Sequence, residues 1–236
     1  MKIFEFLMKG KKKVFLIIRF VLIVFFVLMN VYLIFIKKHL CLDTEVYENT
    51  NPTPNIFKKN TVGQTFTADN NDLCRIEVRF GTHGRKNDKE VRFQLWELTP
   101  DRKLAAELRF NAAEVKNNLF HSFDFNTIKE SKDKKYYFKI SSPQSAPKNS
   151  ICAWMNKGNI YLSGEYFLKG SKKEGDLVFR VYSKRPVIAK LDRIVRNYPG
   201  IFGKRWFLIA VIVFFEAMVL LGLLIIIKAG KNALLH

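Results

Sequence analysis

The chain has 236 residues, a formal net charge of +19 at pH 7 and an apolar fraction of 48%. No H-E-x-x-H, G-x-S-x-G, Walker or dinucleotide-binding motif occurs, and the four histidines are scattered singly. The sequence therefore predicts a protein that is not an enzyme and that has no cofactor and no metal site.

The three cysteines, Cys41, Cys74 and Cys152, show neither a C-x-x-C pair nor zinc-ligand spacing. Two interpretations remain open for Cys74 and Cys152. They either form a disulfide in an oxidising compartment or remain small buried apolar residues, and the odd number of cysteines favours the second.

The first element is an apolar run of 23 residues, 14–36, with one charge at Arg19. A helix needs about 20 apolar residues to cross the hydrocarbon core of a bilayer, so the run predicts a transmembrane helix. It is too long for the apolar core of a signal peptide and no small-residue cleavage site follows, so we expect an uncleaved anchor. Five lysines precede the run, which predicts a cytoplasmic basic tail over residues 1–13.

A second apolar run of 22 residues, 206–227, contains one charge, Glu216. It predicts a second span, followed by a cytoplasmic tail over residues 228–236 that carries two lysines. Basic residues also flank the two runs on the side that faces the central region, and by the same rule they favour the opposite orientation. The first span, however, usually sets the orientation. We therefore expect a two-pass protein of the bacterial inner (cytoplasmic) membrane, with both termini inside and the residues between the spans outside the cytoplasm.

Three polar side chains fall inside the two runs: Arg19, Asn30 and Glu216. Ionisable residues are costly in lipid and are usually paired. One interpretation pairs Arg19 with Glu216, within one chain or between protomers, with Asn30 as a third contact. In the alternative, Arg19 extends to the cytoplasmic surface, and Glu216 has an unknown membrane partner or no ionic partner.

Between the two runs, residues 37–60 include a stretch dense in Asn, Thr and Pro, which predicts an irregular tether. From residue 61 to residue 183, apolar and polar residues alternate in short runs separated by turn sequences. The clearest runs are 74–80, 91–96, 104–110, 136–140 and 177–182. Because such alternation is typical of half-buried strands, eight or nine strands are expected. They predict an all-β fold, an antiparallel jelly-roll-like β-sandwich flanked by the two transmembrane α-helices.

A short segment before the second run changes to helical spacing. Residues 186–198 place apolar side chains on one face and basic side chains on the other, with Pro186 at the start and Pro199 after the end. This pattern predicts an amphipathic helix. It fits a helix along the outer membrane surface and a stalk helix packed under the sandwich equally well.

Seven side chains that fall on the polar faces of predicted strands form the candidate binding set: Trp96, Tyr137, Trp154 and Tyr182, with Arg92, Gln94 and Arg180 as hydrogen-bonding groups. Exposed aromatic rings with polar neighbours are what a sugar-binding face requires. The alternative is partial burial under loops, which is common for Trp and Tyr. The positive charge would attract anionic lipid or acidic polysaccharide, and its extracytoplasmic position argues against nucleic acid.

Six segments carry a resemblance to a known group of proteins: residues 63–66, 75–80, 84–87, 91–95, 136–143 and 175–182. In this order they resemble the extracytoplasmic β-sandwich domain of bacterial envelope membrane proteins linked to glycosyltransferases and surface polysaccharide. The resemblance implies a non-enzymatic domain that binds an envelope glycan or assists polysaccharide assembly, with a membrane-embedded glycosyltransferase or a second copy as partner. Two alternatives remain: a structural subunit that contacts another protein of a membrane complex, and a protein similar to polysaccharide chain-length regulators.

Overall fold

The computed structural model of the protein describes residues 2–48, 51–189 and 200–233. The chain divides into two compact units. One unit is Leu40–Lys184, and the other consists of the terminal segments Met1–His39 and Arg185–His236. The first unit is built from strands with two short 3-10 turns, whereas helices dominate the second.

Thirteen strands occur in the described part of the chain. They are β1 (Lys38–Val46), β2 (Asn51–Pro52), β3 (Val62–Thr67), β4 (Leu73–Gly81), β5 (Glu90–Glu97), β6 (Lys103–Asn111), β7 (Phe120–Ile128), β8 (Lys135–Ser141), β9 (Cys152–Asn156), β10 (Tyr166–Leu168), β11 (Ser171–Lys173), β12 (Asp176–Leu177) and β13 (Phe179–Pro186). Each of the five runs of alternating residues named above falls on one or two of these strands.

The strands form two antiparallel sheets that enclose one apolar core. In the seven-stranded sheet the order is β1-β13-β4-β9-β12, with β2 beside β9 and β7 beside β4. In the six-stranded sheet the order is β11-β10-β3-β8-β5-β6. The antiparallel β-sandwich predicted from the sequence is thereby confirmed.

Strand β5 illustrates why alternation specifies this fold. Val91, Phe93 and Leu95 are completely buried, whereas the residues between them are partly exposed. The ring of Phe93 stacks on Phe123 of β7, with ring centroids 4.1 Å apart and an interplanar angle of 12°. Because β5 and β7 belong to different sheets, this stacked pair packs the two layers against each other.

The structure differs from the predicted tether over residues 37–60. Strand β1 lies beside β13, and β2 pairs with β9 through Asn51 and Met155. Ile56 is completely buried, and its N–H donates to the carbonyl oxygen of Ile151 at 2.8 Å. The strands that hold this segment lie about 100 to 135 residues further along the chain, so local composition does not reveal them.

The terminal unit contains α1 (Lys2–Val31), a π-helical segment (Tyr32–Ile36) and α2 (Arg205–Ala233). Both runs predicted as spans, 14–36 and 206–227, are helical. In the described part of the chain, no helix meets the combined requirements of length and apolarity for crossing a membrane.

The predicted amphipathic helix over residues 186–198 is described only at its start. Strand β13 continues to Pro186, and helical conformation begins at Val187. Residues 190–199 lie outside the described residues, so the choice between a surface helix and a stalk stays open.

The three cysteines are buried and carry free thiols. Cys152 pairs with Gly81 of β4, which lies seven positions beyond Cys74 on the same strand. At about 3.3 Å per residue, this spacing separates the two cysteines by roughly 23 Å. A disulfide requires Cα atoms about 4.4–6.8 Å apart, so Cys74 and Cys152 cannot pair in this fold.

Candidate functional site

The seven predicted binding residues do not form one site. Four lie on the outer face of the six-stranded sheet: Arg92, Gln94 and Trp96 on β5, and Tyr137 on β8. Three belong to the seven-stranded sheet: Trp154 on β9, and Arg180 and Tyr182 on β13. A sandwich has two outer faces separated by its core, so the two groups cannot contact the same small ligand.

Three aromatic rings form a continuous platform on the six-stranded sheet. Trp96 and Tyr137 are cross-strand partners, with ring centroids 5.8 Å apart and an interplanar angle of 22°. Phe167 of β10 meets the edge of Tyr137, with centroids 5.2 Å apart and an angle of 70°. Trp96, Tyr137 and Phe167 are each partly exposed, and together we name them the aromatic platform.

A glycine on β3 allows the platform to form. Gly63 lies opposite Lys139 of β8 on one side and Phe167 of β10 on the other. A Cβ atom added to Gly63 would lie 2.5 Å from the hydroxyl oxygen of Tyr137 and 2.6 Å from Cε2 of the same ring. The missing side chain therefore leaves the space over β3 into which the Tyr137 ring extends towards Phe167.

The platform lies in a cleft with a volume of about 430 Å³. Besides the three rings, the cleft is lined by Thr65, Leu98, Arg102, Lys139 and Gly170. Its volume falls within the roughly 300–1,000 Å³ typical of small-molecule sites, and its lining combines apolar surface with a few polar groups. The Tyr137 hydroxyl is protonated at neutral pH and can donate a hydrogen bond, and burial raises its pKa further above the ordinary value.

Arg92 and Gln94 are held beside the cleft by a neighbouring carboxylate. The side chain of Gln94 donates to Glu107 at 2.9 Å, and Arg92 Nε lies 3.7 Å from the other oxygen of Glu107. The hydrogen bonds from Gln94 and Arg109 lower the pKa of Glu107. These contacts make Arg92 and Gln94 part of a surface network on β5 and β6.

The group on the seven-stranded sheet is organised around Glu77. Its carboxylate accepts hydrogen bonds from the hydroxyls of Tyr182 at 2.8 Å and Ser122 at 2.9 Å. Arg180 forms an ion pair with Glu45 at 2.7 Å and lies over the Phe120 ring, 3.9 Å from its centroid. Burial, followed by the hydrogen bond to Glu77, raises the pKa of Tyr182 to about 12. Arg180 and Tyr182 are therefore engaged in contacts within the protein.

Trp154 lies on β9 of the seven-stranded sheet and has its own hydrogen-bond partner. Its indole N–H donates to the side-chain oxygen of Asn118 at 2.9 Å, and its ring is partly exposed. The neighbouring residues on β9, Ala153 and Met155, are buried in the core.

Six of the eight residues that line the cleft are absent from the predicted set, among them its third aromatic ring, Phe167, and its two cations, Arg102 and Lys139. Lys139 alternates with buried residues of β8 and could have been included by the same criterion as Tyr137. Phe167 lies in a strand of three residues, which is too short for periodicity to reveal. Arg102 lies in a turn, where its N–H donates to the carbonyl oxygen of Thr99 at 3.1 Å, and no strand pattern reaches it.

Two of the three polar residues predicted inside the apolar runs, Asn30 and Glu216, lie at the same cavity. Asn30 and Glu216 line one cavity of about 260 Å³ between α1 and α2, and the other lining residues are apolar. The side-chain amide of Asn30 donates to the carbonyl oxygen of Phe26 at 3.0 Å. The side chain of Arg19 lies outside the described residues, so the Arg19–Glu216 pair stays a prediction.

Over the residues that are described, no three His, Cys, Asp or Glu side chains are grouped as metal ligands.

Comparisons with known proteins assign no family to this chain. No family model matches it, and no curated protein matches it significantly. Among solved structures, one match is the enzymatically active domain of tailspike protein 4 of bacteriophage CBA120, at 13% identity and a TM-score of 0.27. The match covers 56% of this chain and 19% of the tailspike chain. A likeness at that TM-score carries no argument about fold or function.

Proposed function

We propose that the protein is a membrane-anchored, non-enzymatic envelope protein whose β-sandwich binds a glycan on the aromatic platform. The observation that carries the proposal is the grouping of Trp96, Tyr137 and Phe167 in one cleft with polar side chains at its margin. The two-sheet antiparallel arrangement also supports placing the sandwich in the jelly-roll class.

The chemistry of the cleft suits a sugar. The faces of pyranose rings carry C–H groups that pack against aromatic faces, while their hydroxyls require hydrogen-bonding partners. The near-parallel rings of Trp96 and Tyr137 supply the apolar surface, and Lys139 and the Tyr137 hydroxyl supply donors. The same cleft lacks a nucleophile held by a base, so binding is its best-supported activity.

The anchoring part of the proposal rests on the two apolar runs. Large apolar side chains are exposed along both helices, among them Phe20 and Phe25 on α1 and Phe214 and Phe215 on α2. Exposed apolar surface on this scale is typical of contact with lipid or with another protein. With lysines concentrated before the first run, it supports a two-pass arrangement in which the sandwich lies outside the cytoplasm and can serve a membrane-embedded glycosyltransferase.

Trp96→Ala is expected to weaken glycan binding at least tenfold, about 1.4 kcal/mol, because it removes the largest ring of the platform. The measurement is calorimetric titration of the full chain with a panel of oligosaccharides containing N-acetylglucosamine, galactose, glucose or uronic acids. Trp154→Phe is the control, because Trp154 belongs to the other sheet. This variant should bind the oligosaccharide with the same affinity as the parent chain.

Circular dichroism spectra of both variants, compared with that of the parent chain, test whether they remain folded. Loss of binding in Trp154→Phe but not in Trp96→Ala would overturn the assignment of the cleft. Absence of binding to the whole panel by the parent chain would favour the alternative role as a protein-interaction subunit.

The topology is tested by cysteine labelling in intact bacterial cells with a membrane-impermeant maleimide. The three native cysteines are buried, so the parent chain should give little background. Lys86→Cys, in the exposed turn between β4 and β5, should be labelled, whereas Lys9→Cys should be labelled only after the cells are permeabilised. Labelling of Lys9→Cys alone would reverse the predicted orientation.

A further inference from the structure

The cleft contains two positive charges without neutralising neighbours. Arg102 and Lys139 are the charged residues among its lining, and no carboxylate lines it. In the part of the chain that the structure describes, neither side chain forms an ion pair. The field inside the cleft is therefore positive.

Three other basic residues of this sheet and its loops are paired with acids outside the cleft. Lys172 of β11 lies 2.6 Å from Glu165, and Lys134 lies 3.0 Å from Glu97. Arg109 lies 3.0 Å from Glu107. Glu97, Glu107 and Glu165 are thus paired outside the cleft, and none of them neutralises Arg102 or Lys139.

The two cations are placed for a group attached to a sugar on the platform. Lys139 follows Tyr137 on the same face of β8, and the charge of Arg102 lies close enough to the Tyr137 hydroxyl to lower its pKa, against the larger effect of burial. A guanidinium binds a carboxylate or phosphate with two parallel hydrogen bonds, and an ammonium adds a point charge.

Resting on the proposed function, we propose that the cleft is specific for an acidic glycan. The sugar ring packs on Trp96 and Tyr137, while its carboxylate or phosphate is bound by Arg102 and Lys139. The net charge of +19 attracts a polyanion to the protein, and the cleft selects the residue of the polymer that it holds.

The test compares sugars that differ only in charge. The full chain is titrated with oligomers of galacturonate, alginate and hyaluronate, each beside its fully methyl-esterified form, and with a phosphate polymer, a phosphorylated mannan, beside its dephosphorylated form. At least one acidic ligand, a uronate oligomer or the phosphate polymer, should bind at least tenfold more tightly than its neutral counterpart. A stronger response to the phosphate polymer than to the uronates identifies phosphate as the acidic group.

Single substitutions test whether Arg102 and Lys139 bind the acidic group. Arg102 has a φ of 45°, a left-handed conformation that Asn tolerates, so Arg102→Asn should keep the turn. Arg102→Asn and Lys139→Gln should each reduce affinity for the acidic oligomer at least fivefold and change affinity for the ester less than twofold. Lys172→Gln removes a charge that is paired outside the cleft, and it should bind like the parent chain.

The outcomes separate this inference from the proposed function. Equal affinity for acidic and esterified oligomers overturns the acidic specificity and leaves the glycan site intact. An equal loss of affinity for the acidic oligomer in Lys172→Gln and Arg102→Asn also overturns it, because the loss would then follow from the lower net charge of the protein and not from the cleft. Binding of neither form of any oligomer overturns both proposals.

Discussion

Asp176→Ala is expected to lower the free energy of unfolding by about 2–5 kcal/mol, because it deprives the buried Gln64 amide and the partly buried Tyr161 N–H of their acceptor. Asp176 is completely buried on β12, and its carboxylate accepts hydrogen bonds from the Gln64 amide and from the N–H of Tyr161, both at 2.9 Å. The Gln64 carbonyl oxygen in turn accepts from the N–H of Leu177 at 3.0 Å. Urea unfolding of the full chain, followed by tryptophan fluorescence, measures the change.

The near-isosteric variant Asp176→Asn makes this prediction sharper. Asparagine offers one acceptor and one amide donor, whereas both partners of Asp176 are donors. Gln64 cannot turn its oxygen towards Asn without losing the bond from Leu177. We expect a loss of about 1–3 kcal/mol from an unsatisfied buried group, with no change in side-chain volume.

Asp133→Asn is the matched control. The Asp133 side chain is 81% exposed, and its φ of 61° suits asparagine. Its effect should stay within about 0.5 kcal/mol. If Asp176→Asn falls within the same range, the hydrogen bonds of Asp176 do not stabilise the fold as argued.

The Asp176 network also shows which part of the fold a sequence cannot reveal. Gln64 and Thr65 stand in β3 of the six-stranded sheet, and Asp176 stands in the seven-stranded sheet. All three are polar residues at buried positions, so they interrupt the apolar pattern that identifies strands. Gln64 and Asp176 satisfy each other across 112 residues of sequence, and the Thr65 hydroxyl accepts from the N–H of Glu165 across 100 residues. Single-sequence periodicity contains no such information.

The longer strands were predictable because each carries its own signal. In β4, β5 and β8, apolar residues alternate with polar ones, and the apolar set is the core set. Strand β1 lacks this signal: its burial follows no period of two, and Asp43 and Glu45 fall within it. It is held by hydrogen bonding to β13 and by the ion pair between Glu45 and Arg180, both of which arise only in the folded chain.

The same distinction applies to the candidate site. Trp96 and Tyr137 were predictable as outward aromatic residues of well-patterned strands. Their direct contact depends on the register between β5 and β8, and the position of Phe167 depends on pairing between β10 and β3. Arg180 carried the same local signal as Arg92, and only the tertiary structure shows that the acids Glu45 and Glu77 neutralise it.

Tyr136→Phe and Tyr166→Phe are expected to protect the fold at alkaline pH. Both tyrosines are buried, and in the described structure their hydroxyls have no hydrogen-bond partner. Burial raises the pKa of each to about 12, and the nearby charge of Glu97 contributes at Tyr136. At pH 7 the Phe variants should be as stable as the parent chain, or more stable by up to about 1 kcal/mol, since an unsatisfied buried hydroxyl is removed.

The sign of the pH effect follows from proton linkage. An unfolded tyrosine ionises near pH 10, whereas these two ionise near pH 12 in the folded chain. Between those values the folded state holds more protons than the unfolded state, so the free energy of unfolding falls as pH rises. At 1.36 kcal/mol per pKa unit, each tyrosine contributes a loss of about 2–3 kcal/mol by pH 12. Each Phe variant should remove one such contribution, and the double variant should remove both.

Tyr182→Phe provides the contrast that separates this explanation from a general effect of removing a hydroxyl. The pKa of Tyr182 is also raised to about 12, but its hydroxyl donates to Glu77 at 2.8 Å. Tyr182→Phe should therefore cost about 1–2 kcal/mol at pH 7, where the other two variants cost nothing. Urea midpoints for the three variants and the parent chain, measured at pH 7, 10 and 11.5, test the prediction. A loss of stability at pH 7 in Tyr136→Phe or Tyr166→Phe, or an alkaline slope equal to that of the parent chain, would contradict it.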